Sequence, residues 1–258
     1  MLEFPPRMKV VYHPLYESHY PTASVESPER VKVIRRALET RFPFVEPSPV
    51  EEEDLLLVHS PELIARVKAD ARLFEVALMA VGGALKACEI AQGGEKAFAL
   101  VRPPGHHARK DFHWGFCYFN NLAIAVQKAL ITGRAKRVFI LDIDLHYGDG
   151  TADIFAGRKE VKVINVQEDD RERFLQGVTE ALRESEDSDM VAISAGFDRY
   201  ELDWGRTLKL EDFRTIGREI AKATKGKACF AVLEGGYYLP HLGLVVKAFL
   251  EGLSEEEG

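Results

Sequence analysis

Arg137-Val138-Phe139-Ile140-Leu141-Asp142-Ile143-Asp144-Leu145-His146-Tyr147-Gly148-Asp149-Gly150 joins an apolar run to a cluster of acids and a histidine with no spacer between them. Val138 to Leu141 carry no polar side chain, as a strand covered on both faces of a parallel sheet requires. Asp142, Asp144 and His146 then fall at every second position. If the extended backbone runs that far, all three side chains point to one side. Two carboxylates and an imidazole crowded there repel one another unless a cation lies between them, and a divalent metal is the natural candidate. Gly148 and Gly150 would let the backbone turn tightly beyond them. Short Asp-x-His matches also occur at strand ends without a metal, so the reading depends on the rest of the chain.

Outward from this stretch, strands and helices alternate. Met8 to Tyr12, Ala97 to Val101, Val161 to Val166, Met190 to Ser194 and Ala228 to Leu233 read as further strands. Helices are expected from Glu26-Ser27-Pro28-Glu29 through about Thr40, from a solvated start at Glu51 to Asp54, and from Ser60-Pro61-Glu62 with Ser60 as cap. Others follow at Glu75 to Ala91, Asn121 to Ile131, Phe174 to Glu184, Leu210 to Thr224 and Leu239 to Leu250. No linker or repeat interrupts the series. Such alternation implies one parallel sheet with helices on both faces, in a single domain over residues 1–258 with 1–7 as a short N-terminal extension.

Ligands of open parallel sheets bind beyond the carboxyl ends of the strands, and each unusual polar cluster follows a strand directly. Arg102-Pro-Pro-Gly-His106-His107 follows one. Ser194-Ala-Gly-Phe-Asp198 and Glu234-Gly235-Gly-Tyr237 follow two others. Four strand ends thus send histidines, aspartates and a tyrosine to one edge.

Composition excludes several classes. The chain is 46% hydrophobic and 29% charged, with a formal net charge of −7. That is enough apolar material for a core, and there is no basic footprint for nucleic acid. Cys88, Cys117 and Cys229 lie far apart and form no Cys-x-x-Cys pair, so they read as buried or free thiols of a reducing compartment. No signal peptide opens the sequence and no run is long enough to span a membrane. A cytoplasmic protein is expected.

Asp144, His146 and Asp198 would make three metal ligands with a coordination position open, the arrangement of a catalytic zinc site. Such a metal activates water and polarises a carbonyl. His106 and His107 can move a proton or carry positive charge, and Asp142 and Asp149 are carboxylates able to orient them. Tyr237 can donate to a developing oxyanion. Together these groups describe metal-assisted hydrolysis of an amide. The oxygen-rich set would also accept iron(II) or cobalt(II).

Five blocks in order resemble the signatures of the histone deacetylase family: Arg102-Pro-Pro-Gly-His-His-Ala108, Gly115-Phe-Cys-Tyr-Phe-Asn-Asn121, Asp142-x-Asp-x-His-x-Gly-Asp-Gly150, Ser194-Ala-Gly-Phe-Asp198 and Glu234-Gly-Gly-Tyr237. That family includes acetylpolyamine amidohydrolases and acetoin-utilisation proteins, and the resemblance covers about residues 9 to 250. It implies a three-layer α/β/α arginase/deacetylase fold whose central, mostly parallel sheet has about eight strands. It also implies zinc on Asp144, His146 and Asp198, Asp142 paired to His106, Asp149 paired to His107, and Tyr237 on the acyl carbonyl. Of the two histidines, His107 is the family's usual proton carrier, though the sequence does not divide their labour. Phe116, with Gly115 and Gly235, is implied at the acyl channel. Glu26-Ser-Pro28-Glu-Arg30 is similar to an early Glu-x-Pro-x-Arg element that brings Arg30 to the acetate pocket. A structural potassium is implied beside Asp142, Asp144 and His146 and at the next strand end, Asn165.

The departures concern substrate. Only Gln167 to Arg173 separate a strand from a helix where the family usually has a longer loop bearing a second channel aromatic. The connection between Pro61 and Glu75 is also short. A shallow, open channel, or one completed by a second subunit, follows. Glu168, Asp169 and Asp170 form either a solvated loop or a cationic-chain attractor. His113 and Trp114 read as rim packing, and His59 has no context that suggests chemistry. The substrate class is an acyl-lysine peptide or an acylated small amine. The alternatives are a catalytically silent sensor of an acylated ligand and a binuclear manganese ureohydrolase. Gly148 stands where that ureohydrolase would need another Asp.

Overall fold

A computed structural model describes residues 8–255, so the expected extension at 1–7 lies outside the described residues. Seven strands form one sheet: β1 (Met8–Val11), β2 (Phe44–Val45), β3 (Lys96–Ala99), β4 (Val138–Asp142), β5 (Val161–Asn165), β6 (Met190–Ala195) and β7 (Ala228–Leu233). Every pairing is parallel, in the order β2-β1-β3-β7-β6-β4-β5. The sheet has one strand fewer, among the described residues, than the resemblance implied. Strand β2 was not anticipated, because its two residues, Phe44 and Val45, are too few to show a period.

β4 and β6 are buried along their whole length, which explains their unbroken apolar sequences. The helices are α1 (Glu29–Leu38), α2 (Glu52–Leu55), α3 (Pro61–Lys68), α4 (Ala71–Gln92), α5 (Asn121–Ile131), α6 (Asp149–Ile154), α7 (Arg171–Arg183), α8 (Leu210–Ala223) and α9 (Leu239–Ser254). α4 lies on β1, β3 and β7 and packs against α5, while α1, α9, α8 and α7 pack in succession. α4 begins four residues earlier than expected, because Asp70 accepts the Leu73 N–H (2.9 Å) as its cap. Ser60 caps α3 in the same way through the Leu63 N–H. Cys88, Cys117 and Cys229 are free and buried. No helix among the described residues is long and apolar enough to cross a membrane.

Topology gathers the polar clusters. β3, β7, β6 and β4 lie side by side, third to sixth in the order of seven, although of these neighbouring pairs only β6 and β7 follow one another in sequence. Register brings Asp142 level with Ser194, Ser194 with Val232, and Val232 with Ala99. The residues that follow each strand therefore emerge side by side.

Candidate active site

The extended backbone does not persist to His146. β4 ends at Asp142, and α6 starts at Asp149, a six-residue helix too short to announce itself by periodicity. Asp142, Asp144 and His146 consequently do not share a strand face. Asp142 Oδ1 accepts the Asp144 N–H (3.0 Å) and its Oδ2 faces His106 Nδ1 (3.0 Å). Asp144 turns elsewhere, accepting N–H groups from His146 (2.9 Å) and Gly235 (2.8 Å). Gly148 has φ −72, which any residue adopts. Its contribution is room: a Cβ there would stand 2.2 Å from Asp142 Oδ2. Gly235 is required for the same reason, since its Cβ would lie 2.7 Å from Asp144 Oδ2 and 2.8 Å from Asp198 Oδ2.

Asp144, His146 and Asp198 each place a ligand atom within 4.8 Å of the others. His146 Nδ1 is 3.2 Å from Asp144 Oδ1 and 3.1 Å from Asp198 Oδ2. Asp198 Oδ1 accepts the Leu145 N–H (3.0 Å), but its Oδ2 is buried and satisfied by no donor. A buried carboxylate oxygen without a donor is costly unless a cation meets it, so the three residues fit a divalent metal. Burial and the neighbouring Asp144 push Asp198 up to about 6, against the pull of His146. A hydrogen bond to Asp144 and the charge of the nearby Asp198 carboxylate push His146 up to about 10. His106, Cys117 and Glu234 also lie close together. There, however, burial raises the Cys117 thiol well above its ordinary value, and Glu234 already accepts the N–H groups of Gly105 (2.7 Å) and His106 (3.1 Å).

Two histidine–aspartate pairs flank the triad. His106 Nδ1 faces Asp142 at 3.0 Å and His107 Nδ1 faces Asp149 at 2.7 Å, and the two rings lie 4.1 Å apart. Burial alone would lower His106, but Asp142 and Asp144 outweigh it and raise the ring well above its usual range. His107 is lowered to about 4 by burial and by charge on His106, despite its bond to Asp149.

Several partners of these pairs were not read from the sequence. Arg109 donates twice to Asp149 Oδ2 (2.9 and 2.7 Å). Trp114 Nε1 donates to the same carboxylate (3.0 Å) while its ring lies 4.0 Å from that of His107. Trp114 is thus more than rim packing. Its position one residue before Gly115-Phe116 was the available signal.

Tyr237 sits between aromatic neighbours, stacked on Trp204 at 4.1 Å and edge-on to Phe116 at 5.8 Å. Asp203, buried at the base of this wall, accepts the N–H groups of Tyr237 (2.6 Å) and Tyr238 (2.7 Å). Arg30 is fully buried, and its guanidinium lies 4.8 Å over the Tyr237 ring. It donates to the carbonyls of Gly236 (2.6 Å) and Glu234 (2.5 Å) and to Glu26 (3.3 Å). Glu26 also accepts from Arg102 (2.9 Å), tying the Glu-x-Pro-x-Arg element to the Arg-Pro-Pro-Gly-His-His loop. Gly115, at φ +63, is exposed beside His107. Asp170 caps α7 through the Glu172 and Arg173 N–H groups, so that acid is a helix start.

Sheet order and strand-end chemistry define an α/β protein of the arginase/deacetylase fold. The family model of the histone deacetylase domain matches residues 24–185. A probable deacetylase of Methanothermobacter thermautotrophicus is 32% identical, over 97% of this chain and 92% of its own length. The chain belongs to the histone deacetylase family. Acetylpolyamine amidohydrolase of Mycoplana ramosa is 34% identical over 70% of this chain, which spans 63% of that relative. The fold is shared with acetylpolyamine aminohydrolase from Burkholderia pseudomallei (TM-score 0.82, 24% identity, 95% of this chain and 98% of that one). It is also shared with the HDA15 HD domain (TM-score 0.85, 23% identity, 96% and 89%).

Proposed function

We propose that this chain is a zinc-dependent amidohydrolase that removes acetyl or other acyl groups from lysine side chains or small amines. The observation that carries the reading is the donorless Asp198 Oδ2 facing His146 Nδ1, with two histidine–aspartate pairs and Tyr237 grouped around it. Asp144, His146 and Asp198 would hold the metal, which would supply Lewis acidity for activating water and polarising the acyl carbonyl. Two oxygens and one imidazole suit zinc and also admit iron(II) or cobalt(II).

The protein groups divide the remaining work. With Nδ1 turned to Asp149, His107 presents Nε2 to the pocket, and its lowered pKa keeps it neutral and able to accept a proton. His106, between Asp142 and Asp144, carries positive charge beside the developing oxyanion. Burial pushes the Tyr237 hydroxyl far above its ordinary value, so it remains protonated and donates to that oxygen. Arg30 and Asp203 fix the turn that presents it. Phe116 and Trp204 flank Tyr237, an aromatic wall suited to an aliphatic amine chain.

Protein loaded with zinc should release acetate from one or more members of a panel of acetyl-lysine peptides, acetylpolyamines and longer acyl-amines. Tyr237→Phe should lose about 100-fold or more in kcat with metal content unchanged. Binding without hydrolysis across the whole panel would instead identify a silent sensor. Elemental analysis of protein purified without added metal identifies the native ion.

A further inference from the structure

One buried charge close to the triad takes no part in the proposed reaction. Arg199 follows Asp198 directly and is 1% exposed. Its Nε donates to the Asp144 carbonyl (3.2 Å), and its Nη2 to those of Val166 (3.0 Å) and Leu145 (3.4 Å). Nη1 reaches the Glu168 carbonyl (2.9 Å). The Phe174 ring, 4.4 Å from the guanidinium carbon, closes the far side. Carbonyls from two segments, 144–145 and 166–168, thus converge on one planar cation. Both segments are irregular backbone just beyond adjacent parallel strands, and their oxygens have no strand partner to satisfy them.

Converging carbonyls of this kind can also replace the hydration shell of a monovalent ion. The sequence blocks implied potassium beside Asp142, Asp144, His146 and Asn165, and the residues present do not fit it. The Asn165 side-chain oxygen accepts the Gly148 N–H (2.7 Å). The Asp142 carbonyl accepts the Val166 N–H (3.1 Å), and both Asp142 carboxylate oxygens are engaged, by Asp144 N–H and by His106. The Asp144 carbonyl belongs to Arg199. An ion added here would share that oxygen with a guanidinium of the same sign, at a separation where the repulsion is strong.

We infer that Arg199 is a built-in counter-cation that takes the place of a diffusible monovalent ion and positions the 144–146 ligand loop against the end of β5. The three buried aspartates, Asp142, Asp144 and Asp198, then have a permanent positive charge beside them whatever the salt. A guanidinium suits the task because it stays charged when buried and offers five donors in one plane. The inference goes beyond the proposed reaction, and its readout is melting, so an inactive protein would leave the test intact.

Thermal unfolding of the metal-loaded protein should be compared in potassium, sodium and choline chloride at equal ionic strength. The wild-type Tm should differ by less than about 1 °C among the three salts, since no specific monovalent cation binds to the folded state. Arg199→Met, which keeps contact with Phe174 but removes the charge, should melt about 5 °C or more lower in choline. Potassium or dilute guanidinium should restore at least half of that loss. A wild-type Tm that rises by several degrees in potassium alone would overturn the inference. So would a folded Arg199→Met variant indifferent to every cation, because packing would then be its only role. Should Arg199→Met not fold, wild-type crystals soaked in thallium(I) decide the matter. An anomalous peak beside the Asp144 and Val166 carbonyls overturns the assignment, and its absence there supports it.

Discussion

Three histidines of this chain are almost equally buried, His59 and His106 at 3% exposure and His107 at 6%, yet they occupy opposite chemical settings. His59 lies between backbone groups: its Nδ1 faces the Arg109 carbonyl (2.8 Å) and its Nε2 accepts the Asn120 N–H (2.9 Å). One partner accepts and the other donates, so the ring is fixed as the neutral Nδ1–H tautomer. It acts as a brace between two loops. His106 and His107 instead each turn Nδ1 to a carboxylate, which orients the ring and stabilises its charged form. Burial is common to all three. The partner decides whether a buried histidine is scaffold or chemistry.

The deepest of these pairs gives the largest expected effect. Asp142→Asn retains the shape but removes the anion that faces His106, and Asp142 is 1% exposed. By analogy with an amide replacing the aspartate of a catalytic triad, kcat/KM should fall about 10³- to 10⁴-fold. Leaving a buried charge unpaired should also cost about 3 kcal/mol of folding free energy, measurable by urea unfolding. A variant within tenfold of wild type would show that His106 works without its carboxylate, and the contrast with His59 would collapse.

At the rim the same change should separate activity from stability. The Asp149 side chain is 16% exposed, and it is shared by His107, Arg109 and Trp114. Asp149→Asn should lower kcat/KM about 10- to 100-fold, as loss of an orienting partner usually does. Folding free energy should change by no more than about 1 kcal/mol, because partly exposed ion pairs contribute little. Equal stability losses in Asp142→Asn and Asp149→Asn would show that the two pairs are not interior and rim.

His59 supplies the pH arm of the comparison. Burial outweighs its bonds to backbone carbonyls and depresses it from its ordinary 6.5 to about 4. Between these values the unfolded chain binds the proton and the folded one does not. The stabilisation is therefore fully present above about pH 6.5 and is lost as pH falls toward 4. From pH 7 to 4.5 this one group should remove about 2 kcal/mol of unfolding free energy. His59→Gln, which does not titrate, should show a correspondingly shallower decline. Parallel stability–pH curves would mean that His59 titrates alike in both states.

Much of this was legible because the chemistry follows strands directly. Once Val138 to Leu141 read as a buried parallel strand, fold class and the meeting of four strand ends followed. The pairing of each histidine with its aspartate came only with the family resemblance. What escaped depends on contacts that no local pattern encodes. Trp114 reaches Asp149 across 35 residues, Asp203 holds the Tyr237 backbone across 34, and Arg199 reaches the Asp144 carbonyl across 55. Short elements escaped for a different reason. β2 and α6, at two and six residues, are shorter than the runs over which the strand and helix periods can be recognised.

The smallest expected effect isolates one hydrogen bond at the rim. Trp114 places its ring 4.0 Å from that of His107 and its Nε1–H on the Asp149 carboxylate, so it could act through either contact. Trp114→Phe keeps an aromatic face over His107 and deletes the donor. Asp149 retains His107 and both bonds from Arg109, and at 43% exposure of Trp114 water can replace the indole N–H. The loss should therefore approach that of an ordinary solvent-competed hydrogen bond, about 0.5–1 kcal/mol, or about two- to fivefold in kcat/KM. Trp114→Ala, which also uncovers the ring, should fall further, and neither should shift Tm appreciably. If Trp114→Phe lost as much as Asp149→Asn, the orienting force on His107 would come through the indole rather than the carboxylate. The rim histidine would then differ from its interior neighbour in kind as well as in depth.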